Sequence, residues 1–424
     1  MAICHDLARP PAALAQRAPS QSPTPLPTRW YDDARFGLGI DCGVYTLVGR
    51  DEFVMRDDKL PASEYAKLIA RFNPTRFNAD DLVKLAKSSG AKYLTFTAKH
   101  PDGFCLFATA LSDYDVVDGS PYRRDLVKVL AAACQKQQIK LILRYSLVDW
   151  HHPDYVSAGR SNHAASPDDK AKWARYIAYY QGQARELLTG YGELGGLWFY
   201  ELDDRAAAEW DLASAYRQLE RLQPGALLGV DPARPVLESD GLAPWKAIAR
   251  IVANSPAPPP RELELPVADS RQTPQRDVRY KVSGEVIAAL AAAAAGGANL
   301  RLILAPGGDG SIRPELGQTL VEIGEWLRMN GDAIESTGRG PIPCQPWGVC
   351  TAQGATDRPN RLFLHILDPR AGATIVFDRS FQWVPRLHGK TTPLKVEKRP
   401  AGLALEVPVD QLSPVDTIIV LDKK

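Results

Sequence analysis

The sequence predicts an α/β fold: a (β/α)8 barrel of the TIM type followed by a small C-terminal antiparallel β-sandwich. Three observations predict it. From Trp30 to about Thr337, short apolar runs alternate with stretches of helical length and period. No glycine-rich fingerprint follows the first apolar run, which disfavours a doubly wound open sheet. After Thr337 the helical patterns stop and short strand-like runs follow at close spacing.

The elements follow in chain order. Residues 1–28 hold Pro10, Pro11, Pro19, Pro23, Pro25 and Pro27 and read as a disordered tail. They lack the basic cluster and apolar run of a secretion signal, so the chain as written is expected to be cytoplasmic, with export reopened by a different start site. Residues 29–337 are assigned to the barrel. Its strand-like runs are Phe36–Gly43, Tyr93–Thr97, Leu141–Ser146, Gly196–Tyr200, Ala226–Val230 and Asn299–Ala305. Helical patterns lie between them at Glu64–Phe72, Ala79–Ser89, Arg124–Gln137, Asp168–Thr189, Ala206–Leu222 and Ser283–Ala295, with Leu316–Asn330 last. The poorly patterned stretch from about Asp231 to Val282 is expected to hold two irregular units. Ser166-Pro167-Asp168-Asp169 reads as a capped helix start and Gly90 as a helix end. Pro341, Pro343 and Pro346 mark a linker within residues 338–424. Five strand-like runs follow, at Arg361–Ile366, Thr374–Asp378, Leu394–Lys398, Leu403–Val407 and Thr417–Leu421.

A net charge of +1 gives no global field for nucleic acid or an acidic membrane, and no run of about 18 apolar residues offers a membrane span. The six cysteines are scattered and read as free thiols. No cofactor or metal site is expected. His151-His152 diverge as chain neighbours, and Gly307-Gly308-Asp309-Gly310 lacks the ending of a phosphate loop. Chemistry in such a barrel sits at the carboxyl ends of its strands. Those ends are Asp41/Cys42, Lys99/His100/Asp102, Arg144/Tyr145, Tyr200/Glu201 and Asp231.

Several motifs carry a resemblance. They are Arg35-Phe36-Gly37-Leu38-Gly39-Ile40, Thr97-Ala98-Lys99-His100 with Asp102-Gly103-Phe104, and Tyr145-Ser146 with Trp150-His151-His152-Pro153. Further on come Gly182-Gln183 with Glu186-Leu187-Leu188-Thr189, then Leu197-Trp198-Phe199. Last are Gly297 through Gly310, Ile323-Gly324-Glu325-Trp326-Leu327 and Asn330-Gly331. In this order they resemble the α-L-fucosidases of glycoside hydrolase family 29. The resemblance implies a barrel followed by a β-sandwich, a carbohydrate ligand and retaining hydrolysis.

The departures fall where the pocket is expected. Tyr200 stands at the position of the family's nucleophilic aspartate. Asp41-Cys42 replaces His-Trp, His100-Pro101 replaces paired histidines, Arg144-Tyr145 replaces Tyr-Tyr, and Asp231 or Arg234 stands at an expected arginine. A carboxylate forms and releases a glycosyl ester; a phenol of pKa about 10 does so only with help. Tyr200, Asp41 and Asp231 are therefore the candidate catalytic positions, and His100, Arg144, Tyr145 and Trp198 the candidate sugar contacts. Asp41 and Asp231, across the mouth from each other, suit an inverting separation of about 6.5–9.5 Å better than a retaining one of about 5 Å. Glu238, Glu262 and Glu264 are candidates for the family's acid. Arg144 either pairs internally with Asp41 or Asp231 or, with His100, holds a carboxylate or phosphate. Three functions stay open: a glycan-binding pseudoenzyme, a hydrolase repurposed for another and perhaps acidic glycoside, and an active fucosidase whose nucleophile is Asp203 or Asp204.

Overall fold

The computed structural model describes residues 29–157, 167–236, 243–254, 260–269, 278–355, 358–371, 374–377, 383–400 and 402–423. The predicted tail at residues 1–28, the cap at Ser166 and the candidate acid Glu238 lie outside them.

Eight strands form the first sheet: β1 (Phe36–Ile40), β2 (Tyr93–Lys99), β3 (Lys140–Ser146), β4 (Gly196–Tyr200), β5 (Leu227–Val230), β6 (Ala233–Pro235), β7 (Glu262–Pro266) and β8 (Asn299–Leu304). All pairs are parallel, in the order β5-β4-β3-β2-β1-β8-β7-β6. The two ends of that order, β5 and β6, are separated in the chain by only Asp231 and Pro232. Chain continuity, not a ladder, therefore brings the ends of the sheet round to each other. The stretch expected to hold two irregular units supplies β6 and β7, and two residues leave no room for a helix between β5 and β6.

The helices are α1 (Arg29–Ala34), α2 (Val54–Asp57), α3 (Ala62–Tyr65), α4 (Ala79–Ser88), α5 (Leu126–Gln137), α6 (Pro167–Gly190), α7 (Leu212–Leu219), α8 (Pro244–Asn254), α9 (Ser283–Ala295) and α10 (Pro314–Asn330). Side-chain caps start two of them: Asn78 accepts from the Asp81 N–H and Asp125 from the Lys128 N–H. Two predicted helices are broken. Glu64–Phe72 becomes α3 followed by a 3-10 turn, and Ala206–Leu222 breaks at Asp211, whose φ is 48°. Helix α9 is buried from Val286 to Ala294 and packs on α8, α10, β8 and the second domain; its small alanines allow close approach on every side.

Strand alternation decides what fills the barrel. Low in the interior, Tyr93, Ile142, Trp198 and Leu227 pack with Tyr31 of α1. Two glycines on β1 make room, Gly37 for this layer and Gly39 for the level above it. A Cβ on Gly37 would meet the Tyr93 ring at 2.3 Å, and one on Gly39 would meet Ile303 Cδ1 at 2.4 Å. Above it the interior carries charge: Arg144 on β3, Glu262 and Glu264 on β7, and Arg301 on β8.

The remaining strands are β9 (Gly338–Arg339), β10 (Gly348–Ala355), β11 (Arg358–Ile366), β12 (Thr374–Phe377), β13 (Trp383–Leu387), β14 (Val396–Arg399), β15 (Gly402–Glu406) and β16 (Thr417–Lys423). They form antiparallel sheets in the orders β13-β16-β11-β10-β9 and β12-β15-β14. Leu362, Leu364 and Ile419 of one sheet and Ile375 and Leu405 of the other share a core. Three of these strands, β9, β10 and β13, were not among the predicted runs.

Candidate active site

Tyr200 ends β4 and points into the barrel mouth, 6% exposed. Its hydroxyl donates to Glu52 Oε2 at 2.8 Å. The same oxygen lies 2.7 Å from His100 Nδ1, and His100 Nε2 lies 3.0 Å from the Cys42 carbonyl oxygen. A carbonyl only accepts, so Nε2 carries a proton; a carboxylate only accepts, so Nδ1 carries one too. His100 is therefore an imidazolium. Burial opposes that charge, but the Glu52 carboxylate outweighs it and raises the histidine pKa. Burial likewise opposes the Glu52 charge, yet His100, Arg144 and the Tyr200 hydroxyl hold it down at about 2. Burial first and Glu52 second push the Tyr200 phenol well above its ordinary value.

Arg144 lies over the Tyr200 ring, its guanidinium carbon 4.4 Å from the ring centre. Its Nε donates to Asp231 Oδ2 at 2.6 Å, one Nη donates to Thr97 Oγ1 at 3.2 Å, and that Nη lies 3.7 Å from Asp41 Oδ1. Asp231 also accepts from Arg301 Nη2 at 3.0 Å. Arg301, wholly buried, donates from the same nitrogen to Glu264 Oε2 at 2.6 Å, and its Nη1 lies 3.2 Å from Glu262 Oε1. Glu262 in turn accepts from the hydroxyls of Tyr31 and Tyr93. Burial raises the Asp231 pKa, but Arg301 and Arg144 override it and hold the group at about 2. Asp41 goes the other way: burial and Glu52 push it up against Arg144 and His100.

The centre is thus a connected network of ion pairs, although Arg301 Nε and Nη1 and Glu262 Oε1 make no hydrogen bond among the described residues. The residual cavity beside it, touching Asp41, Tyr45, Glu52 and Glu264, measures about 30 Å3. That is about the share of one water molecule, not the room a sugar ring needs.

The sequence candidates divide accordingly. Tyr200, His100, Arg144, Asp41 and Asp231 come together. Of the two fates open to Arg144, the internal ion pair is the one present. Asp41 and Asp231 share that one guanidinium instead of flanking an open water site. Tyr145 and Trp198 lie elsewhere. Tyr145 alternates to the outside of β3, where its hydroxyl donates to Gln183 Oε1 at 2.6 Å. Trp198 belongs to the apolar layer low in the barrel. Glu262 and Glu264 both pair with Arg301, and burial pushes the Glu262 carboxyl up. Asp204 accepts from the Tyr155 and Ser157 hydroxyls, and Asp203 is exposed. His151 stacks on Tyr114 at 3.6 Å while His152 Nδ1 accepts from the Asp154 N–H, so the two rings face different partners. Glu52 and Arg301 were missed. A lone charge in the apolar run Asn299–Ala305 signals an interior ion; nothing local to Gly49-Arg50-Asp51-Glu52-Phe53 marks Glu52.

One further group stands at the mouth. Glu201, next after Tyr200, has a φ of 56° and is partly exposed. Burial and Glu52 raise its carboxyl to about 7 against the pull of Arg56.

Comparison with known proteins is consistent in one direction. A family described as alpha-L-fucosidase matches residues 11–332. The chain is 25% identical over 372 residues to the tissue alpha-L-fucosidase of Rattus norvegicus, covering 80% of this chain and 74% of that one. It is 26% identical to the Homo sapiens counterpart, over 81% and 74%. Alpha-L-fucosidase isoenzyme 1 from Paenibacillus thiaminolyticus superposes with a TM-score of 0.77 at 28% identity, over 94% of this chain and 98% of that one. An alpha-L-fucosidase from Bacteroides thetaiotaomicron superposes at 0.78 with 22% identity, over 98% of each, which speaks to fold.

Proposed function

This chain belongs to the alpha-L-fucosidase family, glycoside hydrolase family 29, and we propose that it is a carbohydrate-binding member that does not carry out retaining fucoside hydrolysis. One observation carries the reading: the Tyr200 hydroxyl is hydrogen-bonded to Glu52 beside a cavity of about 30 Å3. A retaining mechanism needs a deprotonated nucleophile, a second carboxyl group about 5 Å away and space for the sugar between them. Here the phenol is protonated, Asp231 is neutralised by two guanidinium groups, and ion pairs occupy the space. Hydrolysis of an aryl α-L-fucoside by the purified full chain tests the reading, with Tyr200→Asp in parallel. The expected result is turnover at background in both. Turnover by the natural chain at the rate of an active relative overturns the reading.

A second reading has one observation in its favour. A tyrosine beside a glutamate is the nucleophile arrangement of sialidases, and Tyr200 and Glu52 form such a pair. The proton balance weighs against it. Burial and Glu52 raise the phenol while His100 and Arg144 hold the Glu52 carboxylate low, so both shifts oppose moving the proton from Tyr200 to Glu52. Turnover of an acidic aryl glycoside that disappears in Tyr200→Phe would establish this reading in place of the first.

A further inference from the structure

Beside the closed centre, the same face of the barrel carries an open recess of about 340 Å3, lined chiefly by Met55, Arg56, Lys59, Leu60, Trp150 and Asp204. That volume is in the range of small-ligand sites, where the central cavity is not. Loops after three strands build it. The segment after β1 supplies α2 and Lys59, the loop after β3 supplies Trp150, and the loop after β4 supplies Asp204.

Its charged groups are arranged in a particular way. Arg56 lies with its guanidinium carbon 4.7 Å from the Phe53 ring centre and 5.9 Å from that of Trp150. Its Nε donates to Asp57 at 2.9 Å, and its two Nη groups make no hydrogen bond among the described residues. Lys59 is exposed and its ammonium makes no ion pair among the described residues. Asp204, the recess's one carboxylate, has both oxygens engaged by Tyr155 and Ser157. The recess thus offers the Arg56 and Lys59 donors and an indole, while the nearby carboxylates Asp57 and Asp204 each already accept hydrogen bonds. Lys59 follows α2 with a left-handed φ of 54°, its N–H donating to the Arg56 carbonyl at 3.1 Å.

We propose that this recess binds an anionic saccharide, its carboxylate or sulfate held by Arg56 and Lys59 and its ring seated against Trp150. The donors match oxyanions, and aromatic faces supply the apolar surface a sugar ring covers. The proposal does not depend on whether the barrel centre turns over a fucoside, because its residues are not those of the centre.

The test is calorimetric titration of the full chain with methyl β-D-glucuronide, galactose 6-sulfate, methyl α-L-fucoside and inorganic sulfate. Expected is saturable binding of the glucuronide, the sulfated sugar or both, with the neutral fucoside and free sulfate at least about tenfold weaker. Which of the first two binds identifies the anionic substituent. In Arg56→Gln/Lys59→Gln that binding falls about tenfold or more, with the circular dichroism unchanged because both side chains are exposed. Any of four results overturns the proposal: no saturable binding of either anionic sugar at millimolar concentration, equal binding of the neutral fucoside, equal binding of free sulfate, or an unaltered affinity in the double variant.

Discussion

Glu52 Oε2 receives the Tyr200 hydroxyl at 2.8 Å and the His100 imidazolium at 2.7 Å, so one oxygen atom ties the ends of β2 and β4 to the loop after β1. The Tyr200 hydroxyl and the His100 ring therefore share a single acceptor in the barrel mouth.

Tyr200→Phe removes one hydrogen bond and leaves Glu52 paired with His100. A stability loss of about 1 kcal/mol is expected from urea denaturation, with fucoside hydrolysis unchanged at background. A loss of measurable turnover in this variant would show that the hydroxyl reacts.

Glu52→Gln leaves a buried imidazolium without its counter-ion, a change that costs about 3–5 kcal/mol. The effect depends on pH in a definite window. Folded Glu52 titrates at about 2 against 4.5 unfolded, so its contribution is full above about pH 4.5 and lost as pH falls toward 2. Folded His100 titrates above its unfolded 6.5, so its contribution is full below about pH 6.5 and lost as pH rises through the folded value. The stability difference between the natural chain and the variant is largest between these limits. NMR of His100 completes the check: its pKa falls when Glu52 becomes glutamine.

Arg301→Met strands two buried carboxylates, Glu262 and Glu264, inside the barrel and leaves Asp231 with Arg144 alone. Its loss of stability exceeds that of Glu52→Gln, and thermal unfolding at pH 7 shows a deeper drop in Tm or no cooperative transition. Lowering the pH relieves part of the penalty by protonating the stranded acids. An Arg301→Met protein as stable as its parent would mean that the interior ions are dispensable.

Glu201 has a folded pKa of about 7 against 4.5 unfolded, so folding loses stability as pH rises from about 4.5 through 7. Glu201→Gln abolishes that loss. The variant gains about 1–2 kcal/mol relative to the natural chain between pH 5 and pH 8, a figure reduced from the full shift because the side chain keeps some solvent contact. A pH-independent difference between the two proteins would contradict it.

Much of this was legible in sequence, for reasons that also explain the misses. Six barrel strands and most helices were readable because burial imposes period on their apolar residues. The pairing of Arg144 with Asp231 was one of two stated fates, and the need to neutralise a buried guanidinium selected it. Tyr145 was misassigned to the site, although period-two alternation forbids Arg144 and Tyr145 from both facing inward. Trp198 was misplaced by depth: it faces inward, but two residues below Tyr200 and so in the apolar layer. Glu52 was invisible because its partners lie 48 and 148 residues away and its own segment has no strand or helix period.

The junction of β5 and β6 has a dynamic consequence. Elsewhere each strand shares a ladder with the next, and unzipping one side leaves the other holding. At Asp231-Pro232 no ladder joins the sheet ends, and proline supplies no amide hydrogen. Two guanidinium groups on one aspartate bridge that sector, so charge adds to the ladders that β5 makes with β4 and β6 with β7. Amide exchange along β5 and β6 will therefore respond to the protonation of Asp231 more than exchange in β1 and β2. The cylinder has a clasp, and its latch is ionic.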